Sequence, residues 1–295
     1  MSQCLAETLP NGTDKASLAI WLKASGYARR LLLGPNDDPW LGASQYLNFF
    51  TQAQGLLHPD VAVVEVSDLY QSWLRRHPDL VEEIAAKRST TYPLRKLLEV
   101  EGPRRLMVEV LEAVGATLRG QIPIVLALPA PRAFLNFVNR SIGRAKSNVD
   151  EDDLESAAMY MADFMRAVSN LPVGGLLLED GPGEDAFLAT DIEACSSLVN
   201  VAKHYRWALV VRLVDGGEPG VLAATSEVAD AIITTADAGF PDGKAIGIDV
   251  GTALWVDGTL PPSDPWRFAF AEIPPDKNPE AVLDALARLR RQFHA

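Results

Sequence analysis

Cysteine is nearly missing from the 295-residue chain. Only Cys4 and Cys195 occur, which argues against a disulfide-built scaffold and fits a reducing, cytoplasmic setting. Histidine is equally scarce. None of His58, His77, His204 and His294 lies at a predicted strand end, so neither a Cys/His zinc site nor a Ser-His-Asp or Cys-His nucleophile is expected. Positive charge is thin: the net charge is −12, and pairs such as Arg75-Arg76 read as solvated helix faces, so nucleic acid is not an expected partner. No apolar run reaches the roughly 18–20 residues of a membrane span. The opening MSQCLAETLPNGTDK has no basic segment followed by an apolar one, and a secretory leader is not expected. No Gly-x-Gly-x-x-Gly follows the first apolar run, and the glycines of LEDGPGEDAF (Leu178–Phe187) sit among acids that repel phosphate.

What the chain has is a rhythm. Short runs rich in Val, Ile and Leu recur at Arg30–Gly34, Val61–Val66, Ile122–Leu128, Gly175–Leu178, Ala208–Val214, Ala231–Thr234, Ala245–Ile248 and Phe268–Ala271. Near-continuous apolar strands are what a parallel sheet buried on both faces requires. Helical stretches separate them. Asp79 to Val100 is rich in helix formers, and Glu101-Gly102-Pro103 reads as a break. Asp150 opens a helix with acids in its first turn, and Asn278-Pro279-Glu280 reads as an N-cap followed by proline at the first helical position. Eight strands alternating with helices predict an α/β fold, a (β/α)8 TIM barrel over 1–295 as one domain, with an N-terminal helical extension over 1–27. An open doubly wound sheet is the alternative.

In such a barrel the chemistry lies where strands end. The predicted ends offer Asn36, Asp37, Asp38 and Trp40, then Glu65, Ser67 and Asp68, then Pro129, Pro131, Arg132 and Asn136. They continue with Glu179 and Asp180, Arg212 and Asp215, Thr235 and Asp237, Asp249 and Thr252, and Glu272. Crowded carboxylates raise one another's pKa and make acids or bases that work near neutral pH. An arginine among them grips a carboxylate bidentately. Asp68, Glu179 and Asp180 are therefore the expected catalytic residues. Arg132 and Arg212 are the expected anion grips, with Asn136 beside them and Trp40 and Phe137 as pocket walls. Pro129 and Pro131 would set a rigid turn aiming Arg132 at the mouth, while a solvent-facing arginine is the plain alternative. No cofactor and no metal ion is expected. An oxygen-ligated magnesium site is the alternative, since the ends supply carboxylates.

Four stretches carry a family resemblance: DVAVVEVSDL (Asp60–Leu69), IPIVLALPAPRAFLNF (Ile122–Phe137), VGGLLLEDG (Val173–Gly181) and EIPPDKNPEAVLDALARL (Glu272–Leu289). In order, they are similar to the strand ends of the uroporphyrinogen decarboxylase and cobalamin-independent methionine synthase superfamily, whose members are (β/α)8 barrels. Asp68 falls on a decarboxylase catalytic position. The departures are specific. LLLGPNDDPW (Leu31–Trp40) lacks the decarboxylases' arginine motif, Phe137 stands where they carry tyrosine, and Ala271 where they carry histidine. VVRLVDG (Val210–Gly216) lacks the zinc ligands of the methionine synthases. The resemblance implies a kept scaffold with changed chemistry. The first reading is a metal-independent, decarboxylase-like lyase acting on a small anionic substrate, with no nucleic acid or membrane partner. The alternatives are a methyltransferase using a folate, corrinoid or methoxylated substrate, and a non-catalytic binding barrel. A homodimer is the oligomeric expectation.

Overall fold

In the computed structural model, which describes residues 4–10, 18–34, 37–144, 148–235, 244–261 and 267–293, eight parallel strands form one sheet. They are β1 (Ile20–Lys23), β2 (Ala62–Glu65), β3 (Ile124–Pro129), β4 (Val173–Glu179), β5 (Ala208–Arg212), β6 (Ala231–Thr234), β7 (Ala245–Asp249) and β8 (Arg267–Glu272). The strand order is β1-β8-β7-β6-β5-β4-β3-β2, so the sheet curls into a (β/α)8 barrel whose first two strands face each other across a seam. No ladder joins β1 to β2 among the described residues. The Ile20 amide instead donates to the Asp60 carboxylate at 3.0 Å.

Seven of the eight expected strands are present, Ala231–Thr234 with the expected bounds and the other six with shifted ends. The first is not. Arg30–Gly34 overlaps helix α1 (Ser25–Leu32), and the first strand is Ile20–Lys23, inside the stretch expected as an extension. In α1 the buried pair Tyr27 and Ala28 is followed by the more exposed pair Arg29 and Arg30, which suits a helical rather than a strand period. Asn36 and Asp237, expected at strand ends, lie outside the described residues. The predicted helix over 79–100 is two helices, Pro78–Ala85 and Tyr92–Glu99, the second with Pro93 in its first turn. The expected Asn278 cap is present, and Asp150, at the expected opening of a helix, caps that helix. Asp150 accepts from the Asp153 amide at 2.9 Å in a capping box, and Asn278 accepts from the Glu280 amide at 2.9 Å.

The core has two layers. Inside the barrel pack Trp21, Val125, Leu177, Val210, Ile233, Phe268 and Phe270, with Leu5 closing the bottom. Glycine makes room twice. A Cβ on Gly175 would stand 2.7 Å from Leu5, and one on Gly247 would stand 2.4 Å from the Phe268 ring. Outside the sheet, helix faces and the outward strand residues form the larger layer, in which Leu94, Met107, Phe134, Phe164 and Leu178 are fully or almost fully buried. Two further helices frame the seam region: α2 (Ala43–Leu57) and α3 (Val66–Arg76). Among the described residues, no helix is long and apolar enough to cross a membrane.

Candidate active site

The site is the ring of last residues of the strands. β1 ends in Lys23, β2 in Glu65, β4 in Glu179, β5 in Arg212, β7 in Asp249 and β8 in Glu272. Register fixes who meets whom, since Lys23 pairs with Glu272 and Glu179 with Arg212 across adjacent strands. The apolar alternation carries each strand to the mouth, where the first residue free of the core is polar. Lys23 Nζ lies 2.8 Å from Glu179, 3.6 Å from Glu65 and 3.8 Å from Glu272. Arg212 donates through Nη1 to Glu179 at 3.0 Å and to Glu272 at 2.7 Å, and through Nη2 to Asp249 at 3.0 Å. Its guanidinium lies 4.4 Å from the centre of the Phe270 ring, which supports it from the barrel interior.

Burial and charge oppose each other here. Burial pushes the Glu65 carboxyl up to about 7 against the pull of Lys23, and Asp68 and Glu179 add to the rise. Burial alone would also raise Glu272, but Lys23 and Arg212 outweigh it and hold that carboxyl below its ordinary value. Burial would lower the pKa of Lys23 and Arg212, yet the carboxylates around each raise it, so both remain charged.

Above the ring opens a cavity of about 420 Å³. Its wall includes Lys23, Asp68, Gln71, Phe137, Asp180, Arg212 and Glu272. Asp68 sits in the first turn of α3 and accepts from Arg29 at 2.7 Å; burial raises its pKa, and Arg29 opposes the rise. Asp180 follows β4. Its Oδ1 accepts from the Val214 amide at 2.7 Å and its Oδ2 from the Phe187 amide at 3.4 Å. Burial lifts it to about 6 although both amides stabilise the charged form.

Five of the eight expected site residues, Asp68, Glu179, Asp180, Phe137 and Arg212, therefore line one cavity. Arg212 does so with both terminal nitrogens already on protein carboxylates. The other three lie elsewhere. Arg132 turns away from the mouth and forks onto Asp191 with two contacts of 2.7 Å. The Pro-Ala-Pro-Arg turn thus aims its arginine at a buried carboxylate in the short helix Ala189–Ala194 that follows β4. Asn136 donates to Asp185 at 2.8 Å, and with Arg132 it borders a separate cavity of about 350 Å³ beside Val149 and Glu184. Trp40, expected as a pocket wall, is a core residue, 2% exposed with its ring 4.2 Å from that of Tyr46. Cys195 is buried, and burial pushes its thiol up to about 12.

Lys23 was missed because strand one was misplaced, although a lysine closing the apolar IWL is a legible strand end. Glu65 and Glu272 stood among the strand ends without a role. Among the described residues, no group of three or more His, Cys, Asp and Glu side chains is arranged to hold a metal ion. Lys23 and Arg212 occupy the space between the carboxylates.

No protein-family model matches the chain, and no curated protein does. Among solved structures, a methyltransferase from Methanosarcina mazei superposes with a TM-score of 0.64 at 12% sequence identity. The match covers 96% of this chain and 95% of that one. At that identity the likeness is one of fold.

Proposed function

We propose that the barrel mouth is the active site of an enzyme that moves a proton on a small substrate bearing a positively charged or hydrogen-bond-donating nitrogen, with Asp180 as the acid–base group. The observation that carries this reading is the charge balance of the cavity. Its wall presents the carboxylates of Asp68, Glu179, Asp180, Asp185 and Glu272 against the cations Lys23, Arg140 and Arg212. Each of those cations is already paired with a protein carboxylate. An incoming anion has no free cation to meet, whereas an ammonium group is attracted. This reverses the expected anionic substrate. It also lowers the decarboxylase-like lyase reading, in which Arg132 and Arg212 grip a carboxylate.

Methyl transfer at such a nitrogen is the reaction class we favour, and the fold shared with a methyltransferase supports it. Asp180 would take the proton of the attacking nucleophile and return it to the departing amine, which suits a group near 6. Glu179, fixed between Lys23 and Arg212, would keep those two cations occupied, and the half-exposed Glu272 on the same wall would face the ammonium. Asp68, on the same wall and paired with Arg29, would steady the far end of the substrate. The mutual pairing of the ring favours a second reading, a binding barrel without turnover.

The test is turnover of methylated amines with a small thiol as acceptor, followed by the appearance of a thioether methyl signal in proton NMR. The expected result is a signal from the native protein that Asp180→Asn abolishes, while amine binding persists. An undiminished rate in Asp180→Asn would overturn the role of Asp180. Amine binding without turnover would favour the binding barrel.

A further inference from the structure

The seam between β1 and β2 encloses a second cavity, distinct from the mouth, of about 60 Å³. It is walled by Leu22 of β1, Tyr46 and Phe50 of α2, and Val63 of β2, with Ser25, Glu65 and Gln54 as its polar lining. The cavity exists because the barrel does not close. In a parallel ladder with β8, Ile20 and Leu22 turn their backbone groups toward β2, and there the Ile20 amide finds the Asp60 side chain instead of a strand. Glu65 is the last residue of β2, 8% exposed, and stands where the apolar slot meets the charged ring of strand ends. Its Oε1 accepts from the Ser25 hydroxyl, and its Oε2 lies 3.6 Å from Lys23 Nζ. A carboxylate has about four acceptor positions. Ser25 and Lys23 use two, which leaves acceptor capacity on a carboxylate that borders the slot.

We infer that this seam slot is a binding site for a short aliphatic chain, two to four carbons long, ending in a hydrogen-bond donor that Glu65 receives. The size sets the chain, since about 60 Å³ is under half of the ~150 Å³ of an apolar cavity that takes up benzene. The donor head follows from the acceptors at the polar end: an ammonium or a hydroxyl fits, and a carboxylate is repelled. Burial supports the assignment, because a carboxyl held near 7 ionises more readily once a donor reaches it. The site does not depend on the mouth reading. Glu65 borders the slot but not the mouth cavity, and Asp180 borders the mouth but not the slot.

The test is a methyl-resolved NMR titration of the full chain with propylammonium, 1-propanol and butyrate, reading the Leu22 and Val63 methyl signals of the slot and the Val214 methyl signals of the mouth. For ligands this small, dissociation constants on the order of 1 mM are expected. Propylammonium or 1-propanol should shift the Leu22 and Val63 signals, which of the two naming the head, and butyrate should not. Glu65→Gln, nearly isosteric, should weaken that binding about tenfold, and Asp180→Asn should leave it unchanged. Three results would overturn the inference: unmoved Leu22 and Val63 signals with both donor probes, equal shifts with butyrate, or undiminished binding in Glu65→Gln. Propylammonium that moves only Val214 removes the slot and leaves the mouth reading standing. Propylammonium that moves only Leu22 and Val63 does the reverse.

Discussion

Replacing Lys23 by methionine tests the ring of strand-end charges without opening a large void. Lys23 faces Glu179 at 2.8 Å, Glu65 at 3.6 Å and Glu272 at 3.8 Å. Arg212 still reaches Glu179 and Glu272 in the variant, while Glu65 keeps only the Ser25 hydroxyl. Removing one partner from a buried ionic group costs about 3–5 kcal/mol. The pH dependence carries the diagnosis. Folding raises the Glu65 pKa from its ordinary 4.5 to about 7. Its contribution to stability is therefore complete below about pH 4.5 and is lost as pH rises through 7. Without Lys23 that pKa rises further, so the variant loses more than the native protein above pH 7. At roughly 1.4 kcal/mol per pH unit for one proton, the deficit should be smaller at pH 6 than at pH 8 by about 1–2 kcal/mol. For a chain of this size the pH 8 deficit corresponds to a fall in Tm of about 6–20 °C. Thermal melts and urea titrations of both proteins at pH 6 and pH 8 read it. A Tm deficit equal at the two pH values, or none at either, would refute the reasoning.

Other expectations separate the mouth from its surroundings. Trp40→Ala should cost about 3–5 kcal/mol in urea unfolding, because the side chain is core, while amine binding at the mouth stays unchanged. Asp191→Ala leaves the largely buried Arg132 without its fork and should cost about 3–5 kcal/mol, again with mouth binding intact. Turnover, if Asp180 is the base, should rise with pH through about 6, because the carboxylate form is the active one and burial has raised its pKa. A pH–rate profile flat between pH 5 and 7 would remove Asp180 from that role.

The strands most easily legible in the sequence were the ones buried on both faces. IVLALP and VGGLLLE have too few polar positions to be surface helices, and their acidic or proline ends mark the mouth. β1 was hidden because it has only four residues, and alanine, leucine and lysine around it are good helix formers. RLLLG imitated a strand because the end of α1 places its leucines in succession. Losing β1 meant losing Lys23, and with it the reason that Glu65, Glu179 and Glu272 can crowd together. Arg132 shows the other limit. Sequence puts it one residue into a helix beside the mouth, but the direction of its side chain depends on Asp191, 59 residues further on, which no local pattern reveals. Asp68, Glu179 and Asp180 were legible because a strand's last residue and the first turn after it are fixed by local geometry alone.

Whether the mouth attracts cations is decided by a pair of calorimetric titrations at pH 7.5, one with methylated ammonium ions and one with carboxylates of matched size. The expected result is saturable binding of the ammonium ions, weakened by added salt, and no binding of the carboxylates. Carboxylate binding that is lost in Arg212→Leu, with no ammonium binding, would contradict the account and return the mouth to an anion-binding site.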